Sequence, residues 1–143
     1  MKKFLRIIAI VLLLLTAANA VAASILFITD TTGRLMGMSV AYLKYSPFTN
    51  FLIPAIVLLI VNGVLNFIAA FWLLKNKPNA SIFVIVQGVL LSGWIIIQII
   101  MVRDIAALHV IMFLIGVLLT LSGFILHNAN SKNVVDENIP KYK

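Results

Sequence analysis

Four long apolar stretches without a single charged residue make up most of this 143-residue chain. They cover residues 7–28, 51–74, 80–101 and 105–126. At about 1.5 Å of helical rise per residue, each stretch can cross a hydrocarbon core of roughly 30 Å. The sequence therefore predicts an all-α integral membrane protein with four transmembrane helices in an up-and-down bundle.

The residues outside these stretches are too few to form a separate soluble domain with its own core. We therefore predict that residues 1–143 form a single membrane domain, with an outer loop at 29–50 and a cytoplasmic tail at 128–143. The hydrophobic fraction of 63% exceeds the 45–50% that is usual for soluble domains. The chain contains no cysteine, which excludes disulfides, thiol redox chemistry and cysteine-based metal sites.

The basic residues flank the spans, and their distribution predicts the topology. Of the 11 lysines and arginines, eight fall in segments on the side of the N-terminus, and only Arg34, Lys44 and Arg103 fall on the other side. The positive-inside rule then places both termini in the cytoplasm. A net charge of +7 distributed in this way indicates contact with the membrane surface, and we expect no nucleic-acid partner.

The first span also has features of a secretory signal. Two lysines precede an apolar core, and Ala18-Asn19-Ala20 fits a cleavage site. The apolar sequence continues to residue 28, however, which is longer than a signal core, so a retained span is favoured and cleavage remains the alternative. Small residues at 16, 20, 23 and 24 share one helical face and predict close packing against a neighbouring helix.

The outer loop contains a segment, residues 34–45, whose apolar residues recur near helical spacing, at Leu35, Met38, Tyr42 and Tyr45. This spacing predicts an interfacial helical segment with its tyrosines at headgroup level. Tyr42 and Tyr45 are therefore candidates for a lid or a partner-binding interface. The alternative is a segment that only seals the outer end of the bundle.

The start of the second helix depends on two prolines. Ser46-Pro47 can cap and begin a helix early, in which case Pro54 lies inside the helix and kinks it. If the helix instead begins near Asn50, Pro54 lies in its first turn and costs little. The sequence leaves both starts open.

The few polar side chains within the spans form stripes on three of the helices. These stripes should converge on the bundle axis, in its outer half beneath residues 34–45. Interhelical hydrogen bonds, worth about 0.6 kcal/mol each, are the favoured interpretation. A polar-lined cavity that orients a lipid headgroup, a quinone or another small ligand is the alternative. The candidate ligand-contact or core residues are Asn62, Asn66, Gln87, Trp94, Gln98, His109 and Thr120.

The spans carry little that could support chemistry. His109, about one turn into the fourth span, is the best candidate for handling a proton or contacting a ligand, since its charge can change near neutral pH. No carboxylate lies in any span, which excludes proton-coupled transport of the small multidrug type. We expect no catalytic residue, no metal site and no cofactor, and the sequence argues against an enzyme.

Ser46-Pro47-Phe48 followed by Phe51-Leu52-Ile53-Pro54 is the most specific pattern in the chain. With the glycines and the Trp94 segment of residues 33–123, this pattern resembles an uncharacterised family of small bacterial four-span membrane proteins. The resemblance implies a multi-pass protein of the bacterial inner membrane, and it implies no activity.

The functional expectation follows from polar stripes without an embedded charge. It is a non-enzymatic accessory subunit or a module that binds a lipid or another small ligand. The alternative is an oligomeric small-molecule transporter or channel-like carrier. The expected partners are the lipid bilayer and a second copy of the chain or another membrane subunit.

Overall fold

The computed structural model describes the backbone of residues 2–137 and the side chains of residues 2–129. Within that part of the chain the structure is helical and has no β-strand, which confirms the all-α class. In residues 2–137, four helices contain segments long and apolar enough to cross a membrane, so this is a multi-pass membrane protein. They are α1 (Lys2–Thr29), α2 (Leu52–Leu74), α3 (Ala80–Val102) and α4 (Ala107–Glu137).

The helices form an antiparallel bundle in which α1 contacts α2 and α4, and α3 contacts the same two neighbours. Leu13, Val84 and Leu119 are fully buried in its core, whereas large apolar side chains on every helix are exposed, as expected of lipid-facing surfaces. We call the end that holds residue 2 and the 75–79 hairpin the termini end. The opposite end, covered by residues 30–51, is the loop end.

Helices α3 and α4 approach so closely that their backbones touch. A Cβ atom added to Gly88 would lie 2.6 Å from the carbonyl oxygen of Gly116, and one added to Gly116 would lie 2.9 Å from the carbonyl oxygen of Gly88. Thr120 lies in the same contact, where its hydroxyl donates a hydrogen bond of 2.9 Å to the Gly116 carbonyl. Small residues allow such close packing in membranes, and here they hold α3 and α4 together as an antiparallel pair.

Helix α2 begins at Leu52, after the Asn50 side chain has accepted a 3.0 Å hydrogen bond from the Leu52 N–H. Pro54 therefore lies in the first turn, where it needs no hydrogen-bond partner of its own. The earlier start does not occur: the Ser46 hydroxyl accepts a 3.2 Å hydrogen bond from the Phe48 N–H, as an N-cap would, but residues 46–51 form mainly bends and no helix begins there.

The middle of α2, Leu58–Val64, is a π-helical segment. Its wider turn ends where the Leu65 N–H donates to the Ile60 carbonyl, five residues back. Segments of this kind are rare and frequently occur at functional sites. This one carries Asn62, which is fully buried.

The outer-loop segment of residues 34–45, expected from its helical spacing, does not form one continuous helix. Two short 3-10 turns, Arg34–Met36 and Val40–Leu43, take its place. Gly37 lies between them with a φ of 66°, a left-handed conformation that interrupts a helix. The loop is also tied to the bundle, since the Phe51 N–H donates to the Thr31 carbonyl at 3.0 Å.

The carboxylate of Asp30 orders the start of this loop. It accepts hydrogen bonds from the hydroxyl of Thr32 at 2.6 Å and from the backbone N–H groups of Thr32 and Leu35. These bonds favour the charged form, and the hydroxyl bond from Thr32 contributes most to lowering the pKa of Asp30 below its usual 3.8.

At the termini end, α2 closes with a left-handed residue followed by a tight hairpin. Asn76 has a φ of 51°, and the next N–H, that of Lys77, donates to the Trp72 carbonyl at 3.0 Å. This pattern satisfies the last carbonyls of a helix. Helix α4 continues through Glu137, beyond the predicted end of the fourth span at residue 126.

Candidate functional site

A cavity of about 230 Å³ lies at the loop end of the bundle, between all four helices and the loop. Its lining is mainly apolar and comes from every element that reaches this end. The apolar residues include Ala20, Phe27, Leu91, Ile95 and Met112. Among the described residues that line it, none is a lysine, arginine, aspartate or glutamate.

The loop covers this cavity with four side chains, which we call the roof. They are Met36, Met38, Leu43 and Phe51. Leu43 and Phe51 are buried. The Phe51 ring stacks on Phe27 of α1, with 4.8 Å between ring centroids and 23° between planes. The roof is therefore a packed structure and not a loosely covering loop.

Gly33 lies directly against the Phe51 ring of the roof, in a backbone conformation that favours glycine. It has a φ of 85°, and a Cβ atom added there would lie 2.8 Å from the Phe51 ring. A side chain at this position would therefore be strained by the backbone conformation and would also collide with the roof.

Three buried polar groups at the cavity have no hydrogen-bond partner within the described part of the chain. They are the Thr16 hydroxyl, the Asn62 side-chain amide and the Trp94 indole N–H. An unpartnered buried polar group costs about 1–3 kcal/mol, so native structures keep few of them. A mainly apolar cavity with a few unpaired polar groups is the usual form of a small-molecule site.

His109 also lines the cavity, and its ring has a defined tautomer. The Ala106 N–H donates a 3.1 Å hydrogen bond to Nδ1 of His109. Nδ1 is therefore the acceptor, and in the neutral ring the proton is on Nε2. The same bond satisfies a backbone N–H at the start of α4, so His109 has both a structural and a potential ligand-contacting role.

The cavity brings together Asn62, Trp94, Gln98 and His109 from the seven predicted polar residues. The other three lie elsewhere. The Asn66 amide donates a 2.8 Å hydrogen bond to the Asn62 carbonyl, and Thr120 lies in the α3–α4 contact. Gln87 is buried, and its side-chain oxygen has no partner among the residues described.

The two predicted loop tyrosines do not line the cavity. Tyr42 and Tyr45 are 41% and 54% exposed. The guanidinium of Arg103 lies over the Tyr45 ring, 3.8 Å from its centroid, and the Lys44 ammonium lies 5.7 Å from the same centroid. Cation–π contact thus fastens the outer face of the loop to the end of α3, while other residues form the roof.

Thr16 of α1 and the roof residues are the parts of the site that the polar stripes do not predict. Thr16, Ala20 and Ala23 share a helical face, and the structure places that face on the cavity. Small side chains there leave space at the loop end, while Thr16, Ala20 and Ser24 are themselves buried and α1 packs against α2. The small-residue pattern of the first span therefore indicated a special surface, but such a pattern is compatible with either close helix packing or a cavity.

No family model, no characterised protein and no solved structure matches the chain.

Proposed function

We propose that this protein binds a neutral, largely apolar small molecule in the cavity at the loop end, as a non-enzymatic ligand-binding module or accessory subunit. One observation carries the proposal. An apolar cavity holds several buried polar atoms without partners in the described chain, and those atoms cost free energy until something hydrogen-bonds to them.

The size of the cavity limits the ligand. A dry cavity of roughly 150 Å³ holds a benzene molecule, so 230 Å³ suits a substituted ring. Sites for drug-sized molecules span roughly 300–1,000 Å³, so a whole phospholipid does not fit inside. A ring with an attached chain that leaves towards the lipid, as in a quinone, matches this volume.

The polar atoms favour oxygen acceptors on the ligand. The Trp94 indole is only a donor, and Nε2 of neutral His109 is a donor as well. The Asn62 amide and the Thr16 hydroxyl can both donate and accept. Since no charged side chain is found among the described lining residues, a buried anion would be uncompensated, and carbonyl or hydroxyl oxygens fit best.

The two tryptophans of the chain provide a direct binding test. Trp94 lines the cavity, whereas Trp72 packs on Phe83 with 4.5 Å between ring centroids. A Trp72→Phe variant therefore reports on the cavity alone. We expect a decyl-substituted benzoquinone to quench its fluorescence saturably.

A matched pair of substitutions in this background identifies the site. Ala23 lines the cavity, and the neighbouring Ala22 is exposed on the outside of α1. Ala23→Phe should fill the cavity and abolish saturable quenching, whereas Ala22→Phe should leave it unchanged. Equal quenching in both variants would show that the probe only partitions into the detergent or the bilayer, and the proposal would fail.

The carrier alternative makes a different prediction in proteoliposomes. A ligand-binding module should not accelerate passage of the benzoquinone or of small polar solutes across the bilayer. A flux that depends on the protein and is abolished by Ala23→Phe would replace the proposal with a transporter.

We further propose that the chain belongs to the bacterial inner membrane with both termini in the cytoplasm. The asymmetry of basic residues supports this orientation. Since the chain has no cysteine, single cysteines introduced at Ser39 and Lys75 report on its two ends. In intact cells a membrane-impermeant maleimide should label the first and not the second, and the reverse result would invert the topology.

A further inference from the structure

A second cavity, of about 380 Å³, lies at the termini end of the bundle and is lined by basic side chains. Lys2, Lys3 and Arg6 of α1 and Lys77 of the hairpin all contribute to it, with Asn76 and Ser81 as polar neighbours. Asp30 and Asp104, the acidic residues whose side chains are described, both lie at the other end. Within the described part of the chain, every charged residue that lines the cavity is therefore basic.

Hydrogen bonds to neighbouring helices hold two of these cations in place. Nε and Nη2 of Arg6 donate to the carbonyls of Leu73 and Leu74 at 3.0 and 2.9 Å. These are two of the five N–H groups of a guanidinium, so three remain for other acceptors. The ammonium of Lys2 donates to the Ala129 carbonyl at 2.8 Å, which connects α1 to α4 beside the cavity.

The hairpin sequence positions the fourth cation. Asn76 takes the left-handed conformation that ends α2, and the following Lys77 is thereby placed on the cavity. Lys75, only two residues earlier, is not part of the lining, and its ammonium lies 5.8 Å from the centroid of the Phe71 ring. Positive-inside topology requires lysines at this end of the bundle, but it does not require four cations in one cavity.

We propose that this cavity binds the phosphate of an anionic phospholipid headgroup. Lys3, Arg6 and Lys77 bring three cations to this one cavity, and a phosphate oxyanion can accept charge-assisted hydrogen bonds from them. The cavity lies at the level of the lipid headgroups, because its lining includes Leu73 near the end of α2 and Ala80 at the start of α3. Basic pockets between helices at this level are suited to anionic lipids.

Lys75 and Lys77 offer a matched test, since Lys75→Gln and Lys77→Gln remove the same charge from the same hairpin. Native mass spectrometry of the full chain in a neutral detergent gives the dissociation constant of the first phosphatidylglycerol bound, with phosphatidylcholine as the reference lipid. A basic residue near an anionic surface contributes about 1 kcal/mol, which is roughly a five-fold change in affinity. Lys77→Gln should weaken phosphatidylglycerol binding about five-fold, and Lys3→Gln/Lys77→Gln about twenty-five-fold.

Lys75→Gln should change the phosphatidylglycerol constant less than two-fold, and phosphatidylcholine should bind all variants equally. Equal weakening by Lys75→Gln and Lys77→Gln would reduce the effect to surface charge and overturn the proposal. A separate titration with inorganic phosphate and glycerol phosphate decides the source of the anion. If either displaces the lipid at micromolar concentration, the site belongs to a soluble phosphate, and the lipid assignment is wrong.

Discussion

The backbone contact between α3 and α4 predicts different effects for the same substitution at two glycines of one helix. A Cβ atom at Gly88 would lie 2.5 Å from the Thr120 nitrogen and 2.6 Å from the Gly116 oxygen, whereas one at Gly93 meets nothing within 4 Å. To reach the 3.4 Å of ordinary contact, Gly88→Ala must move the two backbones apart by about 0.9 Å. Overpacking of this kind typically costs about 1–3 kcal/mol.

Gly93→Ala has no such cost. Both variants gain the helix propensity of alanine, about 1 kcal/mol, since both positions lie in α3. The two variants should therefore differ by the overpacking cost alone, about 1–3 kcal/mol in the free energy of unfolding. Unfolding in mixed micelles with increasing dodecyl sulfate, followed by far-ultraviolet circular dichroism, measures that difference. If Gly88→Ala were as stable as Gly93→Ala, the close approach of α3 and α4 would be refuted.

Three further predictions concern the loop end. Gly33→Ala and Gly37→Ala both place a side chain at a positive φ, but only the first collides with the roof, so only Gly33→Ala should markedly increase iodide quenching of Trp94 in the Trp72→Phe background. Since hydrogen bonding lowers the pKa of Asp30, its contribution to loop order is fully present above pH 3.8 and is lost as the pH falls through the lower folded pKa. Iodide quenching should therefore rise in that acidic range, and Asp30→Asn should abolish the dependence. Thr16→Val removes an unpartnered hydroxyl and should stabilise the ligand-free protein by about 1 kcal/mol in the dodecyl sulfate assay, and a loss of stability would indicate a partner for that hydroxyl.

The architecture could be predicted from the sequence because one physical constraint dominates it. Each span must be apolar and long enough to cross the bilayer, and short connections then force antiparallel neighbours. The order of α2, α3 and α4 follows from this alone. Local structure decided what the pattern left open: Ser46 and Asn50 each accept a hydrogen bond from the N–H two residues on, but only the bond to Asn50 leads into α2.

The candidate site could be predicted only in part, because helical spacing does not show what a stripe faces. The stripe that runs from His109 to Thr120 lines the cavity at one end and packs against α3 at the other. Thr120 packs against α3 because Gly88 of that helix leaves room for it. The spacing of residues within α4 does not show this. The conformation of the loop could not be predicted for a related reason. Its apolar residues have helical spacing, but they lie on both sides of Gly37, whose left-handed conformation separates them into two short turns.

The π-helical segment of α2 has a consequence for how the cavity can change. A π turn contains one residue more than the α turn it replaces, and each residue of an α-helix turns the chain by about 100°. The π-helical segment Leu58–Val64 absorbs that extra residue, so the α-helical halves on either side of it keep their faces aligned. A regular α-helix through all seven residues would instead turn one half of α2 against the other by about 100°. Deleting the exposed Ile60 should therefore restore a regular helix with both halves still facing the cavity as they do now, whereas inserting a residue elsewhere in α2 should misalign them.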